Sequence, residues 1–271
     1  LTAFESDGFQ VGSRVGMNGN SDTFVAWQWA ANGSGSSNED GSINTNKTSA
    51  NTTAGFSVIE WSGTGANGTI GHGLGIQPSL YIVKNTATTN SWMVGSTLYP
   101  NTKFLNLNSS DALDTAAAVW NSAYPTSSVI NLGSNVASNG SGTNNMICYA
   151  FAEIPNYSSI GSYTGNGSTD GPFVYTGFKP AFIIFKVTSN APTGWVMLDN
   201  QRDTYNAVNH VLQPNENSAE SSGSDNWDIL SNGFKVRTTW GAVNGSGYTV
   251  TYIAFAEHPF GGDGVAPATA R

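Results

Sequence analysis

The chain carries one short motif twice, as I-C-Y-A-F-A-E at residues 147–153 and as T-Y-I-A-F-A-E at residues 251–257. In both copies a phenylalanine alternates with alanines and is followed by a glutamate. This alternation is typical of a β-strand that packs on one face. The repetition predicts an internal duplication in which this strand closes each copy.

Three further landmarks upstream of the motif keep their order and nearly the same offset. They are 182–186 (F-I-I-F-K) with 80–84 (L-Y-I-V-K), Trp195 with Trp92, and 162–167 with 61–65. Solenoid and propeller repeats run at about 20 to 50 residues, and the period here is roughly 100. The pattern therefore predicts tandem domains, each a whole fold.

The first residues resemble the end of the second copy. Residues 6–11 (S-D-G-F-Q-V) resemble 231–236 (S-N-G-F-K-V), and residues 24–27 follow them much as 252–255 follow the second stretch. We therefore interpret residues 1–31 as the C-terminal strands of a preceding module. The polar composition of residues 32–54 predicts a linker or mobile loop. Residues 55–155 and 156–260 are then the two repeated modules, and residues 261–271 a flexible tail.

Composition favours an all-β protein. The chain has 32 glycines and only 10% charged residues, and Asn-Gly pairs recur between short apolar runs. That pattern is typical of hairpins in sandwiches and barrels. We predict tandem antiparallel β-sandwich modules, jelly-roll-like, with long polar loops. A short helix is expected only within residues 111–120, where Asp111 precedes a run of alanines.

Charge excludes some classes of partner. The formal net charge is -8 with ten lysines and arginines in total, and no segment carries a basic patch. Nucleic-acid binding and binding to an anionic membrane are therefore disfavoured. The sequence contains no long apolar run, so we do not predict insertion into a membrane. Cys148 lies within the apolar closing strand, so we expect a buried, inert thiol.

The search for a catalytic set gives a negative result. The chain has three histidines, His72, His210 and His258, and none stands in a pattern typical of a catalytic base. A glycosidase needs a pair of carboxylates. The candidates are Asp199 and Asp203 around Arg202, Asp225 and Asp228 around Trp227, and Glu60. We interpret residues 199–203 as a polar turn in which Arg202 pairs with one or both acids. The prediction is no catalytic residue, no metal site and no cofactor.

The repeated acids receive a structural interpretation. Glu153 and Glu257 close the two motif copies, and we expect them to bind exposed backbone donors or the repeated lysines Lys84 and Lys186. The glycine-rich segment at residues 166–171 has oxygen groups that suit calcium, but it lacks the spaced carboxylates of a calcium loop. A β-turn is the expected structure there.

Ligand binding is the more favoured function. Tryptophans beside turns are suited to present flat faces to sugar rings, whereas Trp92 and Trp195 are repeat-equivalent and are assigned to packing. For the turn-adjacent tryptophans, core and surface positions remain equally open. The candidate ligand-binding residues are Trp61, Trp120, Trp227, Trp240, Tyr205 and Arg202.

Several stretches of the second copy resemble a module of unknown function found in virion structural proteins of tailed, often marine, bacteriophages. They are residues 161–174, 177–182, 199–202, 231–236 and 254–260. The first copy resembles the module more loosely and has no Asp-Asn-x-Arg turn. The resemblance implies a tail-fibre or other virion-surface location, and it implies no catalytic residues.

Three functions therefore compete. The first is a virion-surface structural and receptor-binding protein, a tail-fibre or capsid-fibre module, whose partners are other virion proteins and a host glycan or protein receptor. A homo-oligomer is expected for it, with a trimer as the form usual in phage fibres. The second is a polysaccharide-degrading tailspike-type enzyme, which needs two carboxylates at a cleft. The third is a secreted bacterial adhesin module. The first is favoured, with an extracellular, virion-surface localisation and no enzymatic activity.

Overall fold

The computed structural model describes residues 1–5, 8–142 and 145–256. It is 38% strand and 6% helix, with antiparallel sheets, which confirms the predicted all-β, sandwich-type class. The predicted tail at 261–271, together with Glu257 and His258, lies outside the described residues. Among the residues that are described, no helix is long and apolar enough to span a membrane. The chain divides into two compact units, residues 1–30 and the part that begins at Ala31.

The first unit is a small hairpin followed by one helical turn. Strand β1 (Ala3–Phe4) pairs with β2 (Phe9–Gln10), and α1 covers Val15–Asn18. Large apolar side chains remain on its surface, and Phe4 is 80% exposed. Within its described residues the unit has one short hairpin and no buried side chain, and residues 24–27, compared above with 252–255, do not form a strand.

The second unit contains both predicted repeats. The elements of the first repeat are β3 (Lys47–Asn51), β4 (Phe56–Ser62), β5 (Gly68–Gly71), β6 (Leu80–Asn85), β7 (Met93–Ser96), β8 (Lys103–Asn106), β9 (Asp114–Thr115), α2 (Ala117–Trp120), β10 (Val129–Leu132), α3 (Val136–Asn139) and β11 (Asn145–Phe151). One sheet has the strand order β3-β4-β11-β6-β7-β8-β9, and the other has β5 paired with β10.

The second repeat is built on the same plan. Its elements are β12 (Ser158–Thr164), β13 (Phe173–Tyr175), β14 (Pro180–Val187), β15 (Val196–Asp199), β16 (Val208–Val211), β17 (Ser221–Leu230), β18 (Gly233–Val236), α4 (Gly241–Asn244) and β19 (Thr249–Ala256). Its two sheets have the orders β12-β19-β14-β15 and β13-β18-β17-β16.

Both copies of the repeated motif at residues 147–153 and 251–257 lie in central strands of their sheets. In the first repeat β11 lies between β4 and β6, and in the second β19 lies between β12 and β14. The four-strand order β4-β11-β6-β7 thus matches β12-β19-β14-β15 strand for strand. The duplication seen in the sequence is therefore a duplication of sheet topology.

Each repeat buries residues from both of its sheets in one core. In the second repeat Phe185 of β14 and Tyr252 of β19 pack with Trp227 of β17 and Phe234 of β18. The Phe185 and Phe234 rings lie 5.4 Å apart in an edge-to-face arrangement. Apolar side chains at alternate strand positions face inward from both sheets, which is how a sandwich forms its core.

The phenylalanines of the two motif copies meet between the repeats. The rings of Phe151 and Phe255 lie 5.8 Å apart, edge to face. The Nε1 of Trp195 in the second repeat donates to the Asn106 carbonyl of the first at 2.9 Å. The alanines of the motif face the two cores, so alternation along the strand separates core packing from contact between repeats.

Part of the predicted linker is a strand. Residues 47–51, within the polar segment assigned to a loop, form β3 and pair with β4 from Lys47↔Glu60 to Asn51↔Phe56. An edge strand gains its stability from backbone hydrogen bonds along one side, and only Ala50 packs against the core. The prediction of a loop was wrong here because polar composition does not prevent edge pairing.

The predicted helix at 111–120 is much shorter than expected. Only α2 is helical, and Asp114 and Thr115 form β9, which pairs with β8. Asp111 accepts a hydrogen bond from the hydroxyl of Ser109 and does not cap a helix. Pairing with a neighbouring strand therefore outweighs the helix propensity of the alanines.

A buried asparagine holds the glycine-rich turn of each repeat. Asn244 is fully buried, and its Nδ2 donates to the carbonyls of Ser168 at 2.8 Å and Thr238 at 2.7 Å. Its Oδ1 accepts the N–H of Asn166. In the first repeat, Asn139 likewise donates to the Ala66 carbonyl at 2.7 Å. Each asparagine therefore ties the backbone of the turn to the buried interior through its side-chain amide.

The repeated lysines donate to backbone carbonyls, and Glu153, the repeated acid within the described residues, accepts from the backbone. Lys84 donates to the carbonyls of Thr88 and Asn90, and Lys186 donates to those of Val187 and Thr193. Glu153 instead accepts the backbone N–H of Ile160 at 2.9 Å, as one of the two alternatives predicted. The lysines close the loop after their own strand, where carbonyl oxygens are nearer than any carboxylate on the neighbouring strand.

Lys186 is expected to make the stability of the folded chain rise at alkaline pH. Its side chain is fully buried, and burial lowers its pKa from 10.5 to about 8. Below pH 8 the lysine is charged in both states, and the lowered pKa costs the folded state about 3 kcal/mol. This cost disappears as the pH rises from 8 to 10.5, because the folded state then loses its proton before the unfolded state does.

The measurement is urea unfolding across that pH range for the unmodified chain and for Lys186→Met. The difference between their unfolding free energies should shift by up to about 3 kcal/mol in favour of the unmodified chain. Lys47→Met, on the exposed side of β3, is the matched control and should give a constant difference. A constant difference for Lys186→Met would contradict the prediction.

Candidate functional site

Three of the predicted ligand-binding tryptophans belong to the cores. Trp61, Trp120 and Trp227 are all 0% exposed. The Nε1 of Trp61 donates to Asn139, Trp120 packs edge to face on Tyr81, and Trp227 stacks on Phe185 at 6.2 Å. The prediction that these residues bind a ligand is wrong, because their positions beside turns coincide with inward-facing strand or helix positions.

The other two predicted aromatic residues, Trp240 and Tyr205, differ in their exposure. Trp240 is half-buried and packs against the core of the second repeat just before α4. Tyr205 is 81% exposed. Of the predicted aromatic residues, Tyr205 therefore offers the most open ring. The packing role assigned to Trp195 is confirmed, since it is only 2% exposed.

Arg202 is the centre of a charged network at the end of β15. Its Nε contacts the buried carboxylate of Asp199 at 2.7 Å, and its Nη1 contacts Glu220 at 2.7 Å. The predicted pairing with one of the flanking acids is confirmed for Asp199. Glu220 was not predicted, because it is 18 positions away in sequence and the fold brings it there. Arg202 thus ties the turn after β15 to the start of β17.

Asp203 pairs with a histidine. Its carboxylate contacts His210 Nδ1 at 2.5 Å and accepts the backbone N–H groups of Asn209 and His210. Burial alone raises the pKa of Asp203, but these hydrogen bonds outweigh it and hold the pKa below its ordinary value. Asp203 is therefore a carboxylate that fixes the start of β16.

An open groove lies on the outer face of the second repeat. It encloses about 450 Å³ and is lined by Thr169, Asp170, Ala207, Asn226, Asp228 and Arg237. We call these six residues the outer groove. Asn226 and Asp228 are on β17 at either side of the buried Trp227, so strand alternation directs them outward. The second sheet of the first repeat consists of β5 and β10, so strand β17 has no counterpart there.

Opposite charges are interleaved across the outer groove. Arg237 contacts Asp228 at 3.1 Å and Asp170 at 4.0 Å, and the neighbouring Lys235 contacts Asp170 at 2.7 Å. The hydrogen bond and charge of Lys235 lower the pKa of Asp170 below its ordinary value. Asp170 is therefore held as an anion beside cations, and Asp228 lies in an ion pair with Arg237.

Sequence reasoning considered some members of the outer groove but did not join them into one site. Asp228 was considered as a carboxylate beside Trp227, and Asp170 belonged to the segment at residues 166–171 whose oxygen groups suit calcium, but Arg237 was not singled out. A signal was present: a hairpin turn at Ser231-Asn232-Gly233 places Asp228 across from Lys235. Asp170 comes from a separate loop, and no local pattern links it to that hairpin.

The remaining candidates are structural. His72 is fully buried, with Nδ1 accepting the N–H of Leu74 and Nε2 facing the Thr126 carbonyl at 3.2 Å. Burial lowers its pKa, which keeps the ring neutral. Cys148 is buried, and burial raises the pKa of its thiol. Within residues 1–5, 8–142 and 145–256, no group of three or more His, Cys, Asp and Glu side chains is placed to hold a metal ion.

A family model described as a domain of unknown function, DUF7483, matches residues 1–259. The chain belongs to the DUF7483 family. The match includes both repeats and the N-terminal unit, so the family's own domain contains the duplication. No curated protein and no solved structure matches this DUF7483 chain.

Proposed function

We propose that this chain is a host-recognition module of a bacteriophage surface protein, a tail fibre or capsid fibre, and that it binds a host-surface glycan in the outer groove. The observation that carries the binding part is the groove itself. It is an open concave site on the sheet β13-β18-β17-β16. Strand β17 carries two of its residues and has no counterpart in the described part of the first repeat, which is consistent with a binding role specific to the second repeat.

The side chains of the outer groove suit sugar hydroxyls. The carboxylates of Asp170 and Asp228 accept hydrogen bonds, and the guanidinium of Arg237 donates them in a fixed fork. Their mutual ion pairs already restrict these side chains, so a ligand orders little on binding. Tyr205, which is only two residues from Ala207, offers an exposed aromatic face for stacking on a sugar ring.

The virion location rests on the sequence resemblance. The stretches that carry it include β13, the turn at residues 199–202 and β18 with its preceding turn. On this proposal the partners are other virion proteins and a host receptor, and the chain acts outside the cell as part of an oligomer. The secreted-adhesin alternative requires the same groove but a bacterial envelope.

The outer groove also bears on the alternative of a polysaccharide-degrading enzyme, because it contains two carboxylates. Glycoside hydrolysis needs one carboxyl group that is protonated near neutral pH and donates to the leaving group. Asp170 has a lowered pKa and is paired with Lys235, and Asp228 is paired with Arg237. The environment of Asp170 therefore disfavours the protonated acid that this reaction needs. Binding without cleavage is therefore the proposal.

We expect Arg237→Ala to weaken glycan binding by roughly tenfold or more, because Arg237 contacts both groove carboxylates and is the donor they position. The measurement is binding of the purified chain to a panel of immobilised capsular and O-chain polysaccharides, with folding checked by circular dichroism. Lys47→Ala removes a charge from the first repeat and should bind like the unmodified chain. Equal affinity of Arg237→Ala and the unmodified chain would show that the outer groove is not the glycan-binding site.

The virion location is tested separately with labelled antibody against the chain on intact phage particles. Label on the particle surface is the expected result. Label confined to bacterial envelopes would favour the adhesin alternative, and release of sugars from the polysaccharide panel would favour the enzyme.

A further inference from the structure

Strand β13 has one unpaired side. Among the described residues its strand partner is β18 alone, with the register Phe173↔Lys235 to Tyr175↔Gly233. Pro172 and Thr176, on either side of it, bond through their backbones to Val236 and Asn232 near β18. Because backbone direction alternates along a strand, the N–H and C=O groups of Phe173 and Tyr175 point to the open edge.

In the first repeat, the strand edge that corresponds to the open edge of β13 is covered by another segment of the chain. Ile70 of β5 corresponds to Val174, since each is the buried residue that pairs with a buried residue of the next strand, Ile130 or Phe234. The far side of β5 is covered by residues 42 and 43. Ile43 donates its N–H to the Thr69 carbonyl at 2.9 Å, and Ser42 Oγ accepts the Thr69 N–H. The fold therefore accepts a further extended segment at this edge.

The residues at the edge of β13 are larger than those at the edge of β5. The Asn38 side chain lies against the backbone of Gly71, where a Cβ would lie 1.6 Å from Asn38 Oδ1. Tyr175 stands at the corresponding position, and Phe173 replaces Thr69. Their side chains are 67% and 48% exposed. The occupant of this edge must therefore match two aromatic rings.

We propose that two copies of this chain associate edge to edge through β13, with the two strands antiparallel about Val174. This register places Phe173 of one copy opposite Tyr175 of the other, and the same pair forms again by symmetry. The outward N–H and C=O groups of both residues are then satisfied in both copies. Aromatic pairs directly across an antiparallel ladder are favourable, so the edge is complementary to itself.

The association is expected to be weak and two-fold. A strand of three residues buries little surface, and interfaces of small area are typically transient. The contact is isologous, so it closes at a dimer. The trimer expected for phage fibres would need a different, head-to-tail contact. The proposal does not depend on glycan binding, because the aromatic pair lies outside the outer groove.

The test is sedimentation equilibrium of the full chain over a concentration series. The weight-average mass should rise from the monomer value of 28.4 kDa towards twice that value. Phe173→Lys/Tyr175→Lys and Phe173→Glu/Tyr175→Glu should each stay monomeric, because like charges then face each other across the edge. An equimolar mixture of the two should associate again, which a folding defect cannot explain.

A further variant tests the antiparallel register of the two β13 strands. Phe173→Lys/Tyr175→Glu brings opposite charges together only if the strands are antiparallel, so it should self-associate, whereas a parallel pairing would make it monomeric. Tyr205→Lys, which changes a still more exposed aromatic residue outside β13, should dimerise like the unmodified chain, and so should Arg237→Ala. An unmodified chain that is monomeric at every concentration, or a mixture that fails to associate, would overturn the proposal.

Discussion

Asn244→Ala is expected to lower the free energy of unfolding by about 3 kcal/mol, because it leaves several buried polar groups without partners. Asn244 is 0% exposed and bridges α4 to the turn at residues 166–168 through both its Nδ2 and Oδ1. Alanine removes the bridging amide and leaves the buried Thr238 carbonyl without this donor. The thermal unfolding midpoint should fall by roughly 6–12 °C.

Asn131→Ala is the matched control for this loss. The Nδ2 of Asn131 donates to the Tyr124 carbonyl at a more exposed position, where water replaces the lost partner, so we expect a change within about 0.5 kcal/mol. Asn139→Ala, the equivalent change in the first repeat, should resemble Asn244→Ala. If Asn244→Ala and Asn131→Ala unfold at the same temperature, the buried asparagine does not hold the turn as argued.

Trp227→Ala is expected to destabilise the chain by about 3–5 kcal/mol, the usual cost of truncating a large buried aromatic residue. Trp227 is fully buried and stacks on Phe185 in the core shared by both sheets of the second repeat. The cavity left by the indole cannot be refilled by the surrounding strands without breaking their pairing. Urea unfolding followed by circular dichroism measures the loss.

Tyr205→Ala provides the contrast, since both residues were candidates for ligand binding on the same grounds. Tyr205 is 81% exposed, so its truncation should change stability by less than about 0.5 kcal/mol. Its effect, if it stacks on a sugar, appears in glycan binding alone. A surface-like cost for Trp227→Ala would contradict its placement in the core.

Repetition in the sequence predicted the architecture well because it reports on strands as whole units. The paired motifs at 147–153 and 251–257 became the central strands β11 and β19, and the flanking landmarks became the strands beside them. The prediction that was wrong concerned the local structure of one polar segment. Residues 47–51 read as linker yet form β3, since an edge strand needs backbone pairing and little apolar surface.

The candidate site was predicted less well, and for a physical reason. The tryptophans were selected for their chemistry, and nothing in a single sequence shows which way a side chain beside a turn will face. Arg202 was correctly paired with Asp199, three residues away, because that contact is local. Its second partner, Glu220, depends on the return of the chain in β17.

By itself, the sequence determined the all-β class and the internal duplication, because strand alternation and repeat spacing are properties of the chain alone. Only the tertiary structure decided which polar residues form a site. Asp170, Asp228 and Arg237 come from a loop, β17 and the end of β18, and sheet pairing brings Arg237 within 4.0 Å of both carboxylates. The motif phenylalanines, likewise, meet between the repeats only because each central strand ends at the same boundary.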